Sequence, residues 1–312
     1  MEKRIVLMFL ISIFVFAIRF HNVAHAEGGD TSPALFTISD EYPTDKPEPQ
    51  SEVPVPTSMP IASQQPEVAI ASSAMRPQLT QAYIDTIASH EIQHGDGNYR
   101  GIALTFDCGA NVRSLNSILA TLATHSAKGT FFLEGNFVAY HPEIVPSILQ
   151  GGNEIGNHSY GHPYFTRLTQ AQVATELAKT ELVISVAAGR LMPMRYFRFP
   201  YGARNATTRR LIAEQGYQSI FWGIDPQGWR KGVNANSVIA NVTSKAYPGA
   251  IVLMHCANVA DENALPVVID YLHGQEYVLG TLSEIINPLY VAPQAHRPIT
   301  YLPHVSWSAI PM

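Results

Sequence analysis

The chain repeatedly carries a short, almost wholly apolar run into a polar residue and then into a helical pattern, and this feature narrows its fold most. Ile102-Ala103-Leu104-Thr105-Phe106 ends at Asp107, and Ile251-Val252-Leu253-Met254 ends at His255. A run with no polar face reads as a strand covered on both sides, as in a parallel sheet packed under helices. Thr130–Leu133, Glu154–Gly156, Tyr196–Phe199 and Ser219–Ile224 are further strand candidates. Between them lie helical patterns at Ser114–His125, Ile144–Leu149, a long stretch opened by Thr169, Thr207–Gln215 and Pro266–Leu272, and the repeat ends near Tyr277–Leu282.

An open doubly wound sheet and a closed barrel produce the same alternation. Asp107, His158, Arg198, Asp225 and His255 each fall at or just after the end of an expected strand. Chemical groups delivered by many strand ends describe the upper face of a (β/α) barrel. The expectation is an α/β fold with one catalytic domain over residues 81–290.

The flanks have another character. Lys3 and Arg4 precede an apolar stretch from Ile5 to Ile18, followed by Ala24-His25-Ala26. That pattern reads as a secretory signal over residues 1–26, because the stretch falls short of the ~18 to 20 apolar residues of a comfortable membrane span. Cleaved, it exports the protein; uncleaved, it anchors it to the membrane. Either outcome puts the remainder outside the cytoplasm, at the cell surface or beyond. Residues 27–80 are rich in Pro, Ser, Thr, Glu and Gln, and read as a disordered spacer. The tail at 291–312 carries no motif that assigns it a role. A net charge of −5 over 312 residues offers no basic footprint, so nucleic acid is not an expected partner. Oligomeric state is not encoded in any pattern we recognise.

The chemistry-bearing residues come in ordered clusters. Thr105-Phe106-Asp107-Cys108-Gly109 ends a strand on a carboxylate and a glycine; alone it also reads as a simple turn. In Asn157-His158-Ser159-Tyr160-Gly161-His162-Pro163 two imidazoles are spaced to share one face of a helical turn and ligate one metal ion. Arg195-Tyr196-Phe197-Arg198-Phe199-Pro200-Tyr201-Gly202, then Trp222-Gly223-Ile224-Asp225-Pro226-Gln227-Gly228-Trp229, then the strand ending at His255 complete the series.

Together and in this order the clusters resemble the polysaccharide deacetylase family, whose pattern is Thr-Phe-Asp-Asp-Gly, His-Ser/Thr-x-x-His-Pro, Arg-x-Pro-Tyr-Gly, Asp-Trp and Leu-x-His. The resemblance implies a distorted (β/α) barrel, a divalent metal ion (zinc above all) and hydrolysis of N-acetyl groups on GlcNAc-type or MurNAc-type sugars of a polysaccharide or of peptidoglycan. By that resemblance Asp107 is the general base, His158 and His162 are metal ligands, and His255 is the general acid. Arg198 orients Asp107, the Tyr201 backbone N–H helps to stabilise the oxyanion, and Trp229 lies on the substrate side.

The sequence departs from the pattern at the chemistry itself. Cys108 stands where the family has its second carboxylate, the third metal ligand; Gly228 replaces the Asp before Trp229, and Cys256 follows His255. Asp225 is a candidate to replace that missing carboxylate by pairing with Arg198 or His255. The chain has only two cysteines, Cys108 and Cys256. Two alternatives follow: a Cys108–Cys256 disulfide, permitted by export, or a Cys108 thiolate that completes a His₂Cys zinc site. The functional alternatives are an active deacetylase and a glycan-binding module of the same fold that has lost turnover.

Overall fold

The structure is a computed structural model and describes residues 79–286. The signal at 1–26, nearly all of the spacer and the tail at 291–312 lie outside the described residues. Among the described residues no helix is long and apolar enough to cross a membrane.

Strand β1 (Gly101–Cys108) is buried at every position except the half-buried Asp107. It pairs in parallel with β2 (Thr130–Leu133) through Thr105–Cys108, and with β6 (Ile251–His255) through Ala103–Asp107. Beyond β2 come β3 (Glu154–Asn157), β4 (Tyr196–Phe197) and β5 (Gln218–Ser219), all parallel, while β7 (Val278–Gly280) pairs with the first residues of β1. The open edges then meet. After β5 the chain crosses to β6, where Gly223 and Ile224 N–H donate to the Ile251 carbonyl and Leu253 N–H donates to the Ile224 carbonyl. The sheet is thereby closed into a distorted barrel, which satisfies backbone groups that an open edge would leave exposed.

The helices cover the outside. They are α1 (Gln81–Ser89), α2 (Val112–Thr124), α3 (Gly135–Tyr140), α4 (Ile144–Gln150), α5 (Gln170–Ala188), α6 (Ala206–Glu214), α7 (Ala235–Thr243), α8 (Val259–Gly274) and α9 (Leu282–Ile285). The sequence signals for their ends operate as expected in α5, where Thr169 and Gln172 form a reciprocal capping box and Gly189 ends the helix in the left-handed region. Helix α8 differs from its sequence reading: it begins at Val259, a full two turns before Pro266, which it accommodates in its interior.

Strand alternation sorts the core into two layers. Ala103, Phe132, Tyr196, Ile220 and Ile251 pack together inside the barrel. Leu104, Phe106, Cys108, Val252, Met254 and Cys256 belong to the larger cluster beneath the helices. Asp107 shares its face of β1 with Ala103 and Thr105, so it points inward. Cys108, one residue on, points outward.

Candidate active site

Asp107 is held by a fully buried arginine. Arg198, just past β4, donates from Nη1 to Asp107 Oδ1 at 2.8 Å and from Nη2 to Thr105 Oγ1 at 2.9 Å. Its guanidinium lies 4.2 Å from the centre of the Phe132 ring. A buried arginine is tolerable only with charge and hydrogen-bond partners, and these also fix the carboxylate. Burial pushes the Asp107 pKa up, but the Arg198 guanidinium, with its hydrogen bond, and the neighbouring His158 and His255 imidazoles outweigh it, and the net shift is downward. Asp107 is therefore an ionised, immobilised carboxylate at neutral pH.

His158 completes this unit. Its Nδ1–H donates to the Arg198 carbonyl at 2.9 Å, leaving Nε2 as a lone-pair donor 3.5 Å from Asp107 Oδ2. The expected helical turn for His158 and His162 does not form. Residues 158–162 make a loop in which Ser159 and His162 adopt positive φ, of 70° and 56°. Glu176 Oε2 on α5 accepts the backbone N–H groups of Tyr160 and Gly161, both at 2.9 Å, which leaves those amides unavailable for a helix. The loop still brings the two imidazole rings edge to face, 4.9 Å between centres. Burial depresses both imidazole pKa values, His162 to about 4, so both rings are neutral and able to ligate.

Cys108 is not a thiolate. It is joined to Cys256 by a disulfide with a Cα–Cα separation of 4.9 Å, so neither sulfur has an anionic lone pair for a metal. The physical reason lies in alternation: both cysteines occupy outward positions, directly after the inward Asp107 and His255, and Asp107 and His255 are themselves register partners. Among the described residues no group of three His, Cys, Asp or Glu side chains is arranged to hold an ion. The neutral imidazole pair, with His158 Nε2 oriented by its Nδ1–H bond, would offer a divalent ion two nitrogen ligands.

On the opposite side of Asp107 stands His255, half-buried at the end of β6. Burial opposes its protonation, but the contact with Asp261 and the charges of Asp107, Asp261 and Asp225 raise its pKa overall. Asp225 does not pair with Arg198 as envisaged. Its Oδ1 accepts from the Gln227 N–H at 2.7 Å and from Trp229 Nε1–H at 3.3 Å, so its own loop holds it. It reaches His255 only through its charge. Trp229 is half exposed above it, at the rim. Tyr201, in the left-handed region at φ 60°, stacks its ring on Tyr164 with centres 4.1 Å apart and meets the His162 ring edge at 4.5 Å.

Two acids escaped the sequence reading. Glu134 follows β2, and its carboxylate overhangs Gly109, where a Cβ would collide with it. Burial first, and the negative charge of Asp107 second, push its pKa up to about 7. The rule that singled out Asp107 and His255, a polar residue ending an apolar strand, applies equally to Thr130–Leu133 and points to Glu134. Asp261 lies in the first turn of α8, which the sequence reading placed too late. Asn258 before it, with Asp261 and Glu262 in the first turn, is the helix-start signal.

The sequence profile of the polysaccharide deacetylase family matches residues 94–220. The chain is 31% identical to the peptidoglycan-N-acetylmuramic acid deacetylase PdaC of Bacillus subtilis over 234 residues, which span 70% of this chain and 49% of that one. It is 32% identical to the chitooligosaccharide deacetylase of Rhizobium leguminosarum bv. trifolii over 219 residues, 65% of this chain and 99% of that one. The chain thus spans about half the length of the peptidoglycan deacetylase and nearly all of the rhizobial one. Among solved structures, a CE4 family pseudoenzyme from Bacillus anthracis superposes with a TM-score of 0.60 at 30% identity, covering 64% of this chain and 69% of that chain.

Proposed function

The chain belongs to the polysaccharide deacetylase family, and from that premise we propose that it removes N-acetyl groups from the GlcNAc-type or MurNAc-type sugars of an extracellular polysaccharide or peptidoglycan. The observation that carries this reading is the pairing of an ionised Asp107, clamped by Arg198, with a His255 of raised pKa on the register-partner position of the adjacent strand. Environments that drive two neighbouring groups toward opposite charge states separate a base from an acid.

Asp107 takes a proton from the attacking water as its oxygen bonds to the acetyl carbon. The Tyr201 backbone N–H is assigned to the developing oxyanion. As the C–N bond breaks, His255 gives its proton to the departing nitrogen, and acetate and the free amino sugar result. Tyr164, Tyr201 and Trp229 are partly exposed aromatic residues suited to contact the apolar face of a sugar. A zinc ion held by His158 and His162 would polarise the acetyl carbonyl, adding several kcal/mol to the roughly 3 to 5 kcal/mol each from base and acid. Export through residues 1–26 is part of the same proposal, and the oxidised cysteine pair supports it.

The test is acetate release by the purified full chain from N-acetylated chitooligosaccharides and peptidoglycan fragments, with and without added zinc. Release from either substrate supports the proposal. A second reading, a glycan-binding module without turnover, is favoured by the disulfide in place of a third ligand and by the similarity to a pseudoenzyme. Retained glycan binding with no acetate from any substrate selects it.

A further inference from the structure

Asp261 is fully buried, yet the sequence pattern assigns it nothing. Its Oδ2 accepts the His255 backbone N–H at 2.9 Å and lies 3.5 Å from His255 Nδ1. Its Oδ1 and His255 Nδ1 have no hydrogen-bond partner among the described residues. Among the described residues this buried carboxylate has one cationic partner within reach, the His255 imidazole, and each is costly to bury without the other.

The space the carboxylate occupies exists because residue 228 is glycine. A Cβ built on Gly228 would overlap Asp261 Oδ1 and stand 2.6 Å from its Cγ and 2.9 Å from Oδ2, closer than real Cβ contacts. The two segments are also tied together. Asn258 caps α8 by accepting the Ala260 and Asp261 N–H groups, and its Nδ2 donates to the Gly228 carbonyl. Gly228 is the position at which the family pattern carries an aspartate, so a carboxylate is present in this space but arrives from the first turn of α8.

We infer that Asp261 is the positioning residue for His255: it holds the imidazole with Nδ1–H toward itself and Nε2 toward the pocket, and Gly228 is the vacancy that admits it. The inference rests on the proposed deacetylase reading for the role of His255, though not for the contact itself. The other ionisable groups facing His255 are Asp107 and Asp225, which favour its charged form, and His158 and His162 across the pocket. Among the described residues only Asp261 brings a carboxylate to ion-pair distance of the ring.

The experiment is an NMR titration of His255 in the metal-free full chain, with the pH profile of acetate release beside it. Asp261→Asn, nearly isosteric, is expected to lower the His255 pKa by about 1 to 2 units, with the alkaline limb of kcat/KM moving by the same amount. The exchange variant Gly228→Asp with Asp261→Gly returns a carboxylate to the same space from the opposite side and is expected to restore most of the shift. Gly228→Ala with Asp261 intact is expected to displace the carboxylate and lower the His255 pKa in the same direction. An unmoved His255 pKa in Asp261→Asn overturns the inference; should that variant not fold, an unmoved pKa in Gly228→Ala does the same. Failure of the deacetylase reading has a different signature: no acetate release, with the His255 shift intact.

Discussion

Cys108 and Cys256 are bonded to each other directly behind Asp107 and His255, so one covalent link ties together the two strand ends that carry the proposed base and acid. It spans 148 residues. The link sits in the outer core while the chemistry faces inward, which makes it a support for the site and not a part of it.

Opening this disulfide is expected to lower stability substantially. Loop-closure entropy for so long a loop is worth about 5 kcal/mol. The double variant Cys108→Ser, Cys256→Ser should therefore show a lower urea midpoint than the oxidised chain and the same midpoint as the reduced one. Equal midpoints for all three would count against a stabilising link.

Zinc uptake should follow the imidazoles and ignore the sulfurs. His158→Ala and His162→Ala are expected to lose bound zinc in direct metal analysis, whereas the double serine variant keeps the content of the parent protein. A fall in zinc on removing the cysteines would restore the thiolate alternative.

Loss of the arginine clamp is expected to be costly. Arg198→Leu leaves Asp107 buried without its cation, which should destabilise the fold by about 3 to 5 kcal/mol at neutral pH. The lowered Asp107 pKa in the parent means that its stabilisation is present above the unfolded value and lost as pH falls through the folded one. In the variant the carboxylate loses that preference, so the deficit should shrink on acidification when denaturation is followed from pH 7 downward. Asp107→Asn tests the chemistry separately, with an expected loss of about 10² to 10⁴ in kcat.

Glu134 and His162 should make opposite contributions to the pH dependence of the metal-free protein. The Glu134 pKa, raised to about 7, removes stability as pH rises from its unfolded value toward 7. The His162 pKa, lowered to about 4, removes stability as pH falls from its unfolded value toward 4. Glu134→Gln deletes the first contribution, so the variant should lose more stability than its parent when acidified from pH 6.5 to 4.5. Parallel stability curves for the two proteins would show that Glu134 titrates normally.

Much of the architecture was legible in the sequence because an apolar run that ends on a polar residue specifies both a buried strand and the point where it leaves the core. That rule places Asp107, Arg198 and His255 at strand ends, and it applies equally to Glu134, which no motif surrounds. In the sequence Pro266 reads as a helix boundary and so hides the helix start at Asn258, whereas α8 accommodates the proline in its interior. The His158–His162 spacing predicts that the two rings lie close together, and they do, but through a loop held by the Glu176 contacts and not through a helical turn.

By itself the sequence determined the repeating strand and helix order, the polar residue at the end of each apolar run, and the family pattern with its departures at Cys108, Gly228 and Cys256. Only the tertiary structure decided what those departures mean. The direction of a side chain depends on strand alternation, which turns Cys108 away from the pocket and toward Cys256. The replacement of one carboxylate by another depends on which helix end approaches a strand end, and Asp261 reaches His255 because α8 starts beside Gly228. Such contacts join residues far apart along the chain, where local propensity and periodicity carry no information.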